Sequence, residues 1–289
     1  MLLAVCLFFG LLGVEPQPGP PADTPAADIL TIPITPPASS HNPQAALLNL
    51  INMERSKAGV KPLNWDAKLA EAALDHAEIM SQEGRLSHQF EGEPDLLHRL
   101  TRRAVRLDSA SENVVYDVSA EGAHEAFVNS APHRTNMLNP AYDGVGIAVV
   151  NVHGVLYVVE DFAHRILDLS DDVAAHRIGE RFSGLRKQFG LPPLELVGDS
   201  RLQGLVAEMA NHETLDSHAP LSLPGVRFAA SYATTSPDEI PADVARLASI
   251  RGVGTCAVGV EFARTPRYPS GLFWVSIVLF DPNAAYARR

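Results

Sequence analysis

The chain has 289 residues, 46% of them hydrophobic and 20% charged, with a formal net charge of −11. This excludes a disordered chain and supports a packed core in one large domain or two ordinary ones. The acidic balance excludes an extended phosphate-binding surface, and with it a nucleic-acid partner. The two cysteines, Cys6 and Cys256, are too few for a disulfide scaffold or a thiolate metal cage.

The N-terminal run "MLLAVCLFFGLLGV" is short for a membrane span and long enough for the apolar core of a signal peptide. Residues 1–22 are read as a signal peptide or, because no Lys or Arg precedes the run, as a short membrane anchor. Residues 23–43 are rich in Pro and small side chains and are expected to form an extended tether. Ordered sequence then begins. "QAALLNLINMERSKAG" places Leu47, Leu50 and Ile51 on one face of a helix that Gly59 stops. Asp66 caps a second helix, with Leu69, Ala72, Ala73, His76, Ile79 and Met80 as its apolar stripe and Gly84 at its end. His76 lies on that stripe and is read as a structural histidine with a buried partner. The next segment, "RLSHQF", carries His88 on a loop. "HRLTRRAVR" repeats Arg99, Arg102, Arg103 and Arg106 at helical spacing, which reads as a solvated helix face; an anionic ligand is the lesser alternative. In "NSAPHRTNML" Pro132 suits the first position of a helix, because its missing N–H would be unpaired there. By itself His133 is then a polar residue of a first helical turn. "DGVGIAVVNVHGVLYVVEDF" reads as a hairpin turning at His153-Gly154.

The order of elements recurs. From Arg181 to His218, Arg186 falls where Arg55 does, Gly190 where Gly59 does, and Pro193-Leu194 where Pro62-Leu63 does. Leu202 matches Leu69, and Ser217-His218 matches Ser87-His88. Val258-Gly259-Val260 stands for Val145-Gly146-Ile147 in a second hairpin. The chain therefore reads as two domains related by duplication, residues 44–165 and 178–289, with residues 166–177 as connector.

These residues resemble the CAP superfamily (cysteine-rich secretory, antigen 5 and pathogenesis-related proteins, also called SCP), in its bacterial form. The resemblance is carried by "INMERSKAGVKPLNWDAKLAEAALDHA", "LSH", "SEN", "VNSAPHRTNMLNP" and "DGVGIAVV" in that order over residues 45–165. It implies an α+β fold, an α-β-α sandwich with a small antiparallel sheet between helices, here in two tandem copies. It also implies an exported protein of the cell envelope or extracellular space. The family gathers His and Glu side chains into one open cleft; the matching positions here are His88, Glu112 and His133. A second family carboxylate has no counterpart in Phe127-Val128-Asn129-Ser130, and Ser111 replaces the usual glycine before Glu112.

Three chemistries fit such a cleft. His88, His133 and Glu112 could hold Zn²⁺ or another divalent metal with water in the fourth position. Glu112 could instead orient a histidine that accepts a proton without metal. Or the three side chains form a polar network without chemistry. "HETLDSH" is no zincin motif, because its histidines are six positions apart and leave the common helix face. The second copy keeps His218 but has "AASYATT" where Glu-Asn is expected, and Trp274 and Phe273 on its last strand read as core. The leading expectation is a non-enzymatic module that binds a lipid, sterol, peptide or envelope component. The alternative is a metal-assisted hydrolase of peptide or cell-wall polymer.

Overall fold

In the computed structural model, residues 42–282 and the backbone of Leu30 and Thr31 are described. The leader, nearly all of the tether and residues 283–289 lie outside the described residues. The chain divides into two units, residues 1–165 and 166–289.

Local chemistry sets the helices of the first unit. Asn42 caps α1 (Pro43–Lys57) by accepting from the Gln44 N–H, and Asp66 caps α2 (Ala67–Glu83) by accepting from Lys68 and Leu69. Each carboxyl or amide oxygen satisfies a helix-start donor that would otherwise lack a partner. Gly84 ends α2 in the left-handed conformation, φ 64°, as expected. Along α1 the buried residues are Gln44, Leu47, Ile51 and Arg55, with Leu50 only half-buried, so the predicted face extends into an arginine. The fully buried Arg55 donates from Nε to the Lys61 carbonyl and from Nη1 and Nη2 to those of Met137, Asn139 and Tyr142. It thereby pins the loop after α1 and the chain around α5 in one bond network.

The remaining elements are β1 (Leu30–Thr31), β2 (Asn64–Trp65), α3 (Leu96–Arg102), β3 (Leu107–Asp117), α4 (Ala120–Asn129), α5 (Ala131–Met137), β4 (Gly144–Val152) and β5 (Val155–Arg165). The sheet order is β1-β4-β5-β3, with β2 parallel to β4. β4 and β5 form the predicted hairpin; His153 (φ 50°) and Gly154 (φ 84°) make its turn. The strand period of two sorts side chains to opposite faces. Ile147, Val149, Val158 and Phe162 pack under α1, α4 and α5, whereas Ala148, Val150 and Val159 pack under α2. This is the expected α-β-α sandwich. Gly146 is required by the second layer: a Cβ there would overlap the backbone of Leu69 and Ala70 on α2.

The second unit contains α6 (Asp171–Gln188), β6 (Glu195–Leu196), α7 (Ser200–Asn211), β7 (Val226–Thr234), α8 (Ala242–Ala245), β8 (Thr255–Ala263) and β9 (Leu272–Phe280). Its sheet order, β6-β8-β9-β7, repeats that of β2-β4-β5-β3. Buried Arg186 repeats Arg55, donating to the carbonyls of Pro192, Ala248 and Ile250. Phe273 and Trp274 are core residues, 0% and 2% exposed. One boundary differs from the sequence reading. Residues 171–177 are no connector but the opening turns of α6, capped by Ser170, and Ile166 and Ala174 are buried in the second core. The polar run "DLSDD" resembles a linker because acidic residues favour a first helical turn as well as a loop.

Candidate functional site

β3 ends the sheet order, so one of its edges has no strand partner among the described residues. The candidate residues gather along it. His88 comes from the loop after α2, Glu112 from β3 itself, and His133 from α5. Pro132 lies in the first turn of α5, the position its chemistry suits.

His88 and Glu112 are in direct contact: Nδ1 lies 2.9 Å from Oε1. The Glu112 side chain is buried, and that of His88 is 50% exposed. The second carboxylate oxygen, Oε2, accepts from Nη2 of Arg99. Arg99 is itself 4% exposed and reaches the carbonyls of His88 and Pro94, at 3.2 and 3.3 Å. Here the structure corrects the sequence reading of the arginine run. Arg99 points into the molecule and holds Glu112, while Arg103 pairs with Asp75 and Glu71 at a part-exposed surface. Equal spacing of cations reports a shared helix side, not whether that side meets water.

His76 is a structural histidine as expected, fully buried, and its partner is Glu93. Nδ1 lies 2.7 Å from Glu93 Oε1, and Nε2 lies 2.7 Å from the Ser87 carbonyl. Glu93 also lies 3.5 Å from Arg99 Nη1. Asp161 completes the cluster. It stands opposite Glu112 on the neighbouring strand and is fully buried. Burial, and then repulsion from Glu112, push the Asp161 carboxyl well above its ordinary value. Burial also acts to raise Glu112, but the His88 hydrogen bond and the charges of His76 and Arg99 outweigh it and hold it below its ordinary value. The two carboxyls are thus shifted in opposite directions beside a single guanidinium.

His133 is set from the other layer. Its ring meets Phe127 edge-on at 5.3 Å, and its carbonyl accepts from Asn113 Nδ2 at 3.1 Å. Burial, reinforced by His88, lowers its pKa, so His133 is a neutral imidazole. Asn113 also donates to Glu160, its cross-strand neighbour, and accepts from Asn136 of α5. Sequence reasoning named neither Arg99, Asp161 nor Glu160 for this site. The alternation along "VVEDF" shows that Glu160 and Asp161 lie on opposite sheet faces, but not that each faces a polar partner.

The donor set does not fit a three-ligand metal centre. Both Glu112 oxygens are engaged, one of them against a guanidinium that would repel a cation. Among the described residues no three His, Cys, Asp or Glu side chains converge to hold a metal ion. His88 and His133 remain as two imidazoles, one fewer than the three protein ligands of a catalytic zinc site.

Strand register shows what stands at these places in the second unit. Gly146, Asp161 and Glu112 form one cross-strand row, and Gly259, Ser276 and Ser231 form the matching row. Ser231 and Ser276 bond to each other, Oγ to Oγ at 3.2 Å. His218 is 95% exposed at its side chain. The second unit thus has the frame without the cluster.

Residues 48–162 match the cysteine-rich secretory protein family, CAP. The uncharacterized membrane protein YlbC of Bacillus subtilis is 36% identical over 104 residues, covering 36% of this chain and 30% of that protein. The uncharacterized protein YkwD of the same organism is 28% identical over 115 residues, 39% of this chain and 45% of that one. The chain thus spans less than half the length of either relative. A solved extracellular protein containing an SCP domain, from Bacillus anthracis, is 27% identical over 43% of this chain and 40% of its own, with a TM-score of 0.40. The family match spans nearly all of the helix–sheet–helix layers of the first unit, and residues 48–162 are a domain of the CAP type.

Proposed function

We propose that this is an exported CAP-domain protein whose first unit binds a ligand of the cell envelope or extracellular space at the His88–His133 cleft, without turning it over. The observation that carries the reading is the state of Glu112. Its two oxygens are engaged by His88 and Arg99, and its neighbour Asp161 is buried with its pKa pushed up. With both oxygens taken, Glu112 itself does not serve as general base toward a bound ligand; a His88 base oriented by Glu112 is the second reading, and the fragment assay below decides against or for it. What faces outward is an ordered pair of imidazoles, suited to recognition by hydrogen bonding. The exported location is supported by the apolar run at residues 1–14 and by the name of the Bacillus subtilis membrane relative. The second unit carries no counterpart of the cleft and serves in this reading as a companion domain.

The test is co-sedimentation of the full chain with two probes, purified peptidoglycan sacculi and phosphatidylglycerol vesicles. His88→Ala and His133→Ala are run beside the wild type, and the supernatant is assayed for released fragments. Saturable sedimentation with either probe, lost in both variants and without fragments, is the expected result. Fragment release that depends on His133 and on added Zn²⁺ would replace this reading with the hydrolase. Absence of binding to both probes would refute a wall or lipid ligand.

A further inference from the structure

The cluster beneath the cleft is expensive to build. Glu93, Glu112, Asp161, Arg99 and His76 are all buried, at 9% exposure or less. Desolvating paired charges costs about as much as their attraction returns, and well-packed neutral groups often serve stability as well or better. The second unit gives that alternative within the same chain. On the helix that packs over the central hairpin, Leu69, Ala73, His76 and Ala77 of α2 correspond in spacing to Leu202, Val206, Met209 and Ala210 of α7, all buried. Met209 therefore replaces His76, while Ser231 and Ser276 replace Glu112 and Asp161. No helix corresponds to α3: only a 3₁₀ turn, Ala219–Ser222, lies between α7 and β7. The frame closes without a buried charge at any of these places.

Its contacts show what the cluster does in the first unit. His76 holds the carbonyl of Ser87, and Arg99 holds that of the next residue, His88. Arg99 also fixes Glu112, the acceptor of the His88 ring. An ionised carboxylate is acceptor-only, so whenever the His88 ring is neutral its proton must lie on Nδ1. In that form Nε2 is a bare acceptor on a half-exposed ring.

We propose that Arg99 is the positioning residue of this cleft: with His76 it locks His88 as the Nδ1–H tautomer, so that the cleft takes a ligand through a hydrogen-bond donor, a hydroxyl or amide N–H, placed on His88 Nε2. This rests on the ligand-binding reading for its consequence, but not for its test. The test is the ¹⁵N spectrum of histidine-labelled full chain in mildly alkaline buffer, where the two ring nitrogens of a neutral imidazole report its tautomer. Wild type should show His88 as a single Nδ1–H species. Arg99→Met should convert it to a mixture, and Arg99→Lys should restore part of the wild-type population by returning a charge without the fork. A fourfold variant copying the second unit, His76→Met, Arg99→Met, Glu112→Ser and Asp161→Ser, should melt within a few degrees of wild type and show His88 as a mixture.

An unchanged single tautomer in Arg99→Met overturns the proposal. If Arg99→Met does not fold, Arg99→Lys, which keeps Glu112, decides: a partly mixed tautomer supports the positioning role, and an unchanged single tautomer overturns it. Failure of the fourfold variant to fold shows the cluster to be structural and overturns it as well. A locked His88 in a wild type that binds neither sacculi nor vesicles would refute the ligand reading while leaving the role of Arg99 standing.

Discussion

Glu160 offers a sharp perturbation, because its cost is set by burial and little else. The side chain is fully buried between the sheet and α5, with Asn113 donating to Oε2 at 3.2 Å and Oε1 without a partner. Burial, opposed only by the Asn113 hydrogen bond, pushes its pKa from 4.5 up to about 8. The folded state therefore holds a proton between these values that the unfolded state has released. Stability falls as pH rises wherever the folded state binds more protons. Glu160 thus leaves stability intact below about pH 4.5 and erodes it until the folded group ionises near pH 8. At about 1.4 kcal/mol per pH unit the ceiling of this loss is ~5 kcal/mol. Glu160→Gln keeps an oxygen for Asn113 and cannot ionise. Urea unfolding of both proteins across this window should give nearly equal stability near pH 4 and a gap of several kcal/mol in favour of the variant near pH 8. Asp161 titrates in both proteins and cancels from the difference. Parallel stability curves would refute the reasoning, since they would mean that Glu160 is solvated or paired with a cation.

Other substitutions test the frame. Gly146→Ala places a methyl group against the α2 backbone, which cannot rotate away, and should destabilise by at least ~3 kcal/mol in thermal or urea melts. Gly259→Ala, where a Cβ would meet side-chain carbons of Leu202 and Val206 at 3.0 Å, should lose only about 1 kcal/mol by the same assay. Equal effects would show that α2 is not seated on Gly146 as described. Arg55→Met strands the carbonyls of Lys61, Met137, Asn139 and Tyr142 and should destabilise by roughly 3 kcal/mol or more. A neutral result would mean that water replaces the guanidinium. Burial raises the Cys256 thiol to about 11, so a thiol reagent at neutral pH should label it only as the protein unfolds. Rapid labelling of the native chain would contradict its burial.

What the sequence determined by itself is local or periodic. Asp66 and Gly84 bound α2 because capping needs only the neighbouring backbone, and Pro132 falls in the first turn of α5 for the same reason. The hairpin over residues 144–165 follows from β-branched runs around His153-Gly154. The recurrence of Arg55 in Arg186 was legible because each arginine serves the loop after its own helix. His88, Glu112 and His133 could be named from motif order, and the structure brings His88 onto Glu112 with His133 across the β3 edge. What only the tertiary structure decided is the electrostatic state of that edge. Arg99 looked like one of four solvated cations, and its burial depends on α3 closing over β3, thirteen residues beyond it at Glu112. Asp161 meets Glu112 only through strand register, and His76 finds Glu93 only when the loop after α2 folds back. A charge's ionisation is fixed by what surrounds it in space. Those neighbours come from distant segments, and no local spacing records them.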